Sequence, residues 1–384
     1  MNINSILKRM SSALTRKQDA LFTYDTAKQK RYIEKLGEPR DNLERSYFQY
    51  KCQMKFNGVF LTFLLNIASF PVALLYLAKY SERGKTVQLR CADMVFFRDG
   101  KPANILPESL RNKYADIEEN PKEGILLTKE DRKFIWSIAR RFPLSWHLIL
   151  KCIIKIGRYS CAIAKYSPSA IAVCAEYSFT SSALTQYCAR RGIKHIDVMH
   201  GEKLYYMRDS FFKFDECYVW DDFYAELLAS MKAAKEQFRT EIPPSMNFSG
   251  SLERTHEYDY TYYLGAENEE TLKKIASSLK ALSRQDKKIC VRPHPRYSDI
   301  SAVKRIFDFA EIEDTKSVTV EKTLMRTRYA VSMYSTVLNQ AVCNGIDIAI
   351  DDVSNPKKFA KLKELDYVCL NKKHKLLSQI TEEK

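Results

Sequence analysis

The chain has 384 residues, with 62 Lys and Arg against 47 Asp and Glu, a formal net charge of +15 and 45% apolar residues. That length predicts two domains or one unusually large one, the apolar content excludes a disordered chain, and twelve prolines and eleven glycines exclude a fibrous or linker-dominated one. The charge excess points to an anionic partner: nucleic acid, a phosphate-bearing small molecule or an acidic membrane surface.

The first 55 residues hold twelve Lys/Arg and six Asp/Glu, lack the apolar stretch of a secretory signal, and are expected to form a basic helical arm over 1–55. Phe56 to Ala78 has Tyr76 as its only ionisable side chain and is 23 residues long, enough to span a bilayer. Asn57, Gly58, Asn66, Ser69 and Pro71 interrupt it, however, and its character changes midway. The β-rich run Val59–Leu65 predicts a strand buried on both faces, and Asn66–Phe70 a turn. Pro71 suits the first position of a helix reaching about Arg83, Gly84 stops it, and Thr86–Cys91 predicts the next strand. The expectation is the opening βαβ unit of a Rossmann-like domain rather than a membrane span.

From Asp99 to Ser160 the pattern is less legible, although Thr128 predicts the cap of a helix reaching about Arg141, and Trp146–Ala164 reads as an apolar helix. Beyond it the alternation resumes, with strands at Ala170–Ala175, Ile193–Met199 and Tyr218–Trp220 and helices over Thr180–Arg190 and Phe223–Gln237. Ile242-Pro243-Pro244 interrupts any helix and predicts a crossing between a domain over 56–245 and another over 246–384. The second domain opens with a strand at Tyr258–Tyr263 and a helix over Asn268–Ser283, where Leu272, Ile275, Leu279 and Leu282 share one face. Strands at Lys288–Arg292, Tyr329–Met333 and Ile346–Ile350 follow, with a helix over Val337–Cys343 ended by Asn344-Gly345. The fold class expected is α/β, two facing Rossmann-like domains with parallel sheets. Ten cysteines without a CxxC pair read as buried free thiols of a reducing cytoplasm.

In open parallel sheets, ligands bind beyond the carboxyl ends of the strands. Glu176, His200, His294 and Ser335-Thr336 all fall at such ends. In Arg292-Pro293-His294-Pro295-Arg296, two prolines preset the backbone around one imidazole flanked by two guanidiniums, a loop able to bind phosphate at little entropic cost. Ser335-Thr336 stands between a strand and a helix, where a phosphate would meet N–H groups and the positive helix end. His200, followed by Gly201-Glu202, is placed to act as a base or to contact a donor, and Glu176 to deprotonate an acceptor hydroxyl. His195, within a strand, and His147, within an apolar helix, are assigned to structure. No GxGxxG, Walker lysine loop, GxSxG or HExxH occurs, which weakens dehydrogenase, NTPase, α/β-hydrolase and zincin readings. No strand-end acidic pair stands out as a metal site, and neither metal nor cofactor is expected.

Val198-Met199-His200-Gly201, Phe214-Asp215-Glu216-Cys217-Tyr218-Val219-Trp220 and Phe248-Ser249-Gly250-Ser251 together resemble the middle of bacterial capsule and lipooligosaccharide glycosyltransferases of the GT-B fold. Arg292-Pro293-His294-Pro295 resembles their HP motif, and Tyr334-Ser335-Thr336 with Asn344-Gly345 their serine/threonine motif. The group includes sialyltransferases, Kdo transferases and, more distantly, glycerophosphotransferases of teichoic acid synthesis. The resemblance runs from about Val59 to Ile350 and implies donor-phosphate roles for His294, Ser335 and Thr336, with Arg292 or Arg296 as charge partners and Gly250 beside the nucleotide. The sialyltransferase acidic pair followed by glycine, which carries the general base, has at best half a counterpart in Asp99-Gly100, so the resemblance assigns neither the base nor the donor sugar; Glu176 and His200 stand as candidate bases by their positions at strand ends.

The function expected is transfer of a sugar from a nucleotide-activated donor, a CMP-sugar first, to a growing surface polysaccharide or lipooligosaccharide. The enzyme is expected in the cytoplasm, with peripheral contact to anionic membrane carrying a glycan or lipid-linked acceptor, and with no nucleic acid as partner. A CDP-glycerol-type glycerophosphotransferase is the alternative within enzymes. A non-enzymatic basic nucleic-acid-binding protein or a membrane assembly protein is the alternative outside them.

Overall fold

The structure, a computed structural model, describes residues 22–80, 90–121, 124–248, 250 and 252–382. The chain divides into two compact units. One comprises Asp25–His200 and Tyr205–Pro243; the other comprises Pro244 onward, joined by Gly201–Leu204 and the described residues before Asp25.

The N-terminal unit is built on six parallel strands: β1 (Met94–Phe97), β2 (Ile117–Glu119), β3 (Ala170–Val173), β4 (Lys194–Val198), β5 (Glu216–Val219) and β6 (Phe238–Thr240). Their order is β2-β1-β3-β4-β5-β6, so the winding reverses between β1 and β3. Every residue of β1 and β3 is buried, which is why they read as unbroken apolar runs. Thr128 caps the helix Lys129–Arg141 in a reciprocal box with Asp131, as its spacing predicts, and Trp146–Tyr166 is helical.

The expected βαβ opening is corrected. Asn42–Lys79 is helical throughout except at Gly58, whose φ of 76° and ψ of 166° break it into two limbs. The limbs double back: Asn66 Nδ2 donates to Tyr50 Oη at 2.9 Å, although sixteen positions separate them, about 24 Å along a straight helix. A long apolar run satisfies strand and helix periodicity alike. The deciding signal is the spacing of its small and polar members: Thr62, Asn66, Ser69 and Ala73 recur at four, three and four residues, one face of a helix. Asn66 and Ser69 therefore mark no turn, and Pro71 lies inside the helix. Arg83, Gly84 and most of the strand expected at Thr86–Cys91 fall outside the described residues; the sheet's first strand is at Met94. Residues 25–55 belong to this unit rather than standing apart as an arm, for Ser46 Oγ accepts from the Ala183 N–H and Gln49 is fully buried.

The C-terminal unit holds β7 (Tyr258–Tyr263), β8 (Ile289–Arg292), β9 (Glu311–Ile312), β10 (Thr327–Ser332), β11 (Asp347–Ile350) and β12 (Lys375–Leu376), again all parallel. The order β12-β11-β10-β7-β8-β9 is that of a doubly wound Rossmann sheet, with its switch point between β7 and β10. Leu272, Ile275, Leu279 and Leu282 all point from the helix Glu269–Ser283 into a core with Tyr262, Val291, Val331 and Ala349. Two six-stranded parallel α/β domains are thus present, as expected for the class.

His195 is structural. Fully buried on β4, it lies 2.9 Å from Tyr159 Oη at Nε2 and 2.8 Å from Thr185 Oγ1 at Nδ1. Thr185 donates onward to Lys213 O at 2.7 Å, so its oxygen receives the imidazole Nδ1–H, and Nε2 accepts from the tyrosine. Burial pushes its pKa down to about 3 and, with a smaller push from Lys151, that of His147 down to about 4. The unfolded chain therefore takes up protons on these rings near pH 6.5 that the folded chain refuses. Stability is fully present above that pH and is lost as pH falls from 6.5 toward these depressed values, at about 1.4 kcal/mol per pH unit for His195. All three tryptophans lie in the N-terminal unit. Urea titrations followed by tryptophan fluorescence should show this slope between pH 6.5 and 5, above the carboxylate range. His195→Gln should lower stability overall and flatten the slope.

Candidate functional site

In the C-terminal unit, two loops leave the carboxyl ends of β8 and β10, on either side of β7 and about 10 Å apart by strand spacing. After β8, the His294 N–H donates to Ser298 Oγ at 2.8 Å, and Ser298 donates to Gly265 O, at the end of β7, at 3.1 Å. Tyr297 stacks on the imidazole with centroids 4.4 Å apart. The Arg296 N–H donates to His294 Nδ1 at 3.1 Å, which places the ring proton of the neutral form on Nε2. Partial burial first, and the Arg296 charge second, hold the ring below the usual histidine range. His294 is thus a neutral Nε2–H donor at pH 7, with its ring plane fixed on two sides. Arg296 is exposed beside it.

Arg292 is a correction. Its guanidinium is buried and engaged by Glu313 at 2.8 Å, Thr323 Oγ1 at 2.8 Å and Val318 O at 2.9 Å. Those bonds turn it away from a phosphate partner's role and make it the tie between β8 and the segment after β9. Of the two flanking arginines, Arg296 is the one left to meet an anion.

After β10, Ser335 is the N-cap of the helix Thr336–Cys343, its Oγ accepting from the Val337 N–H at 3.2 Å. Ser335 O takes the Leu338 N–H; among the described residues the Thr336 N–H and hydroxyl meet no partner. That leaves Thr336, at the positive helix end, as the group here with bonds to offer an anion. Asn344 does more than close this helix: it accepts from the Phe248 N–H and donates to Met246 O, both at 2.8 Å, pinning the segment that leads to Gly250. Gly250 is exposed, with nothing within 4 Å of where a Cβ would stand. Ser249 and Ser251 of that motif lie outside the described residues.

In the N-terminal unit, Glu176 follows β3 and His200 follows β4, and the fold brings them together. His200 Nδ1 lies 3.4 Å from Glu176 Oε1, an ion-pair distance. Glu176 is 1% exposed, whereas the His200 side chain is 14% exposed. The carboxylate is therefore the buried member of the pair, and the imidazole is the member with a face open to solvent. Tyr177 meets His200 edge-on, and the Arg208 guanidinium lies over the Tyr177 ring at 5.4 Å. Gln49, from the long helix, donates to Glu176 O at 2.9 Å and Arg208 O at 3.0 Å, locking the loop that carries the pair.

Sequence reasoning missed Ser298, Tyr297 and Gln49. The first two follow the HP loop directly and were within reach of closer reading; Gln49, 127 positions from Glu176, carries no local signal.

No protein-family model and no curated protein sequence matches the chain. Among solved structures, it is similar to a UDP-GlcNAc 2-epimerase from Neisseria meningitidis bound to UDP-GlcNAc, at 11% identity over 71% of this chain and 85% of that one, with a TM-score of 0.42. An alanine variant of the wall teichoic acid polymerase TagF is similar at 11% identity over 87% and 88%, with a TM-score of 0.45. A UDP-GlcNAc 2-epimerase from Methanocaldococcus jannaschii is similar at 13% identity over 75% and 94%, with a TM-score of 0.40. At these scores the likenesses carry no weight, and the fold rests on the two sheets themselves.

Proposed function

We propose that the chain is a GT-B glycosyltransferase that moves a sugar from a nucleotide-activated donor, a CMP-sugar first, to a bacterial surface glycan. The observation that supports it most is the pair of loops flanking the β7/β10 switch point: a neutral, oriented His294 Nε2–H beside Arg296 on one, and the Thr336 N–H and hydroxyl on the other. These hydrogen-bond donors and this one cation suit a phosphate, and the Glu267 carboxylate that follows β7 between the loops accepts from the Gly265 N–H at 2.7 Å. As the donor's bond to its phosphate oxygen breaks, negative charge grows on that phosphate, and these groups stabilise it. His200, oriented by Glu176, accepts the proton of the attacking acceptor hydroxyl. The enzyme works at the cytoplasmic face of a membrane carrying a glycan or lipid-linked acceptor.

The same phosphate-binding groups would serve CDP-glycerol, so donor choice is tested directly. Thermal shift against CMP, CDP and UDP should stabilise the chain with one of them, by about 2.7 kcal/mol at a hundredfold excess over Kd. Product analysis with CMP-sugars, UDP-sugars and CDP-glycerol then assigns the reaction. Turnover of CDP-glycerol alone replaces glycosyl transfer with glycerophosphoryl transfer, and failure of every nucleotide to bind removes the reading.

A further inference from the structure

We infer that the outer limb of the kinked helix, residues 59–79, lies in the interface of an anionic bilayer with its apolar face inserted into one leaflet. This gives the membrane contact proposed above a physical surface, and it stands independently of the transfer chemistry.

Three observations converge on it. First, nothing among the described residues covers the limb's apolar face: Val59 is 90% exposed, Phe60 75%, Phe63 60%, Ile67 54% and Leu75 67%. Large rings and branched chains in an unbroken row on a water-soluble surface mark an interaction site. Leu144, 85% exposed, continues the patch: it lies two positions before Trp146, whose ring meets Phe70 edge-on at 4.5 Å. Second, the charges lie only at the boundaries. No Asp, Glu, Lys or Arg occurs between Lys55 and Lys79, and those two lysines are both exposed. An apolar band closed at both ends by cations fits acyl chains below anionic headgroups, with the ammonium groups reaching to the lipid phosphates. The net charge of +15 agrees in sign.

Third, the packing decides how the limb sits. At 21 residues it is about 31 Å long, enough to cross the hydrocarbon core. Its other face, however, is committed to the protein. Ser69 and Ala73 are buried; Ser69 Oγ lies 3.3 Å from His147 Nδ1, and Asn66 Oδ1 accepts from the His147 N–H at 3.0 Å. Near the limb's other end, Arg132 donates to Leu77 O at 2.9 Å. A helix tied at mid-length to Trp146–Tyr166 and near its end to Lys129–Arg141 cannot have lipid all round. It presents one apolar face to the membrane and lies in the interface, with Lys55 and Lys79 at the headgroups.

The test is co-flotation of the full chain with vesicles of phosphatidylcholine alone, or with 30% phosphatidylglycerol. Binding should favour the anionic vesicles and should persist in part at 1 M NaCl, where screening removes the electrostatic share but not insertion. Phe60→Ser with Phe63→Ser should lower partitioning by about tenfold or more per ring. Both side chains are exposed, so the variant should keep the wild-type melting temperature and nucleotide response. Phe60→Trp should fluoresce at shorter wavelength on binding and be quenched by lipids brominated on the acyl chain. Binding lost entirely in salt, or unchanged in the double variant, overturns insertion. So does a stable dimer in lipid-free buffer that the double variant dissociates, because a second copy then covers the face. Loss of nucleotide binding with flotation intact would sink the transferase reading and leave this one standing.

Discussion

Replacing His294 with alanine should lower nucleotide-dependent transfer by about 10²–10³ in kcat while the chain stays folded, the range seen when one fixed donor to a developing negative charge is removed. The argument rests on the tautomer. Because the Arg296 N–H donates to Nδ1, the proton must sit on Nε2, and the Tyr297 ring and the Ser298 bond to the His294 N–H hold the loop that aims it. His294→Gln can return an N–H near the Nε2 position and should recover part of the loss; a histidine of purely structural value would show no such preference. Arg292 supplies the internal contrast. Its variants take from the buried Glu313 one of two arginine partners, leaving Arg326 at 3.2 Å, so Arg292→Ala should cost stability and show as a lowered melting temperature. Two residues apart, one should fail in turnover and the other in folding. Wild-type turnover in His294→Ala removes the central claim.

What the sequence could show of all this followed from how local the physics was. Strands buried on both faces announce themselves as apolar runs, and a helix such as Glu269–Ser283 by one periodic stripe with an Asn cap, so four of the six C-terminal strands were legible, and the two-residue β9 and β12 were not. The positions of His294 and Ser335 beyond strand ends were legible for the same reason. Illegible were the facts that depend on a distant partner. Arg292 and Arg296 are chemically identical in the sequence, and partners 21 to 31 positions on, Glu313, Val318 and Thr323, separate the structural one from the available one. Likewise Glu176 and His200 each looked like a candidate base; which of them reaches a substrate depends on burial created by the long helix. The apolar run at 59–79 misled for the opposite reason. Its hydrophobicity is real, but it faces outward, and composition does not say whether an apolar residue is hidden by protein or by something else.

The acceptor side gives the second large effect. His200→Ala should lower kcat by about 10²–10⁴, with donor KM little changed, because proton removal from the acceptor matters in the transition state and not in donor binding. Glu176→Gln should fall between this variant and the wild type. The amide keeps the shape beside Nδ1, but it has no charge to stabilise the imidazolium that forms as the proton arrives. The two effects should not add: once His200 is gone, Glu176 has nothing to orient, so the double variant should be about as slow as His200→Ala alone. The size of the two losses separates the roles. If His200 is the base, kcat should fall further in His200→Ala than in Glu176→Gln. The reverse pattern would make Glu176 the base, and that would require its carboxylate, 1% exposed in this structure, to become accessible when the acceptor binds.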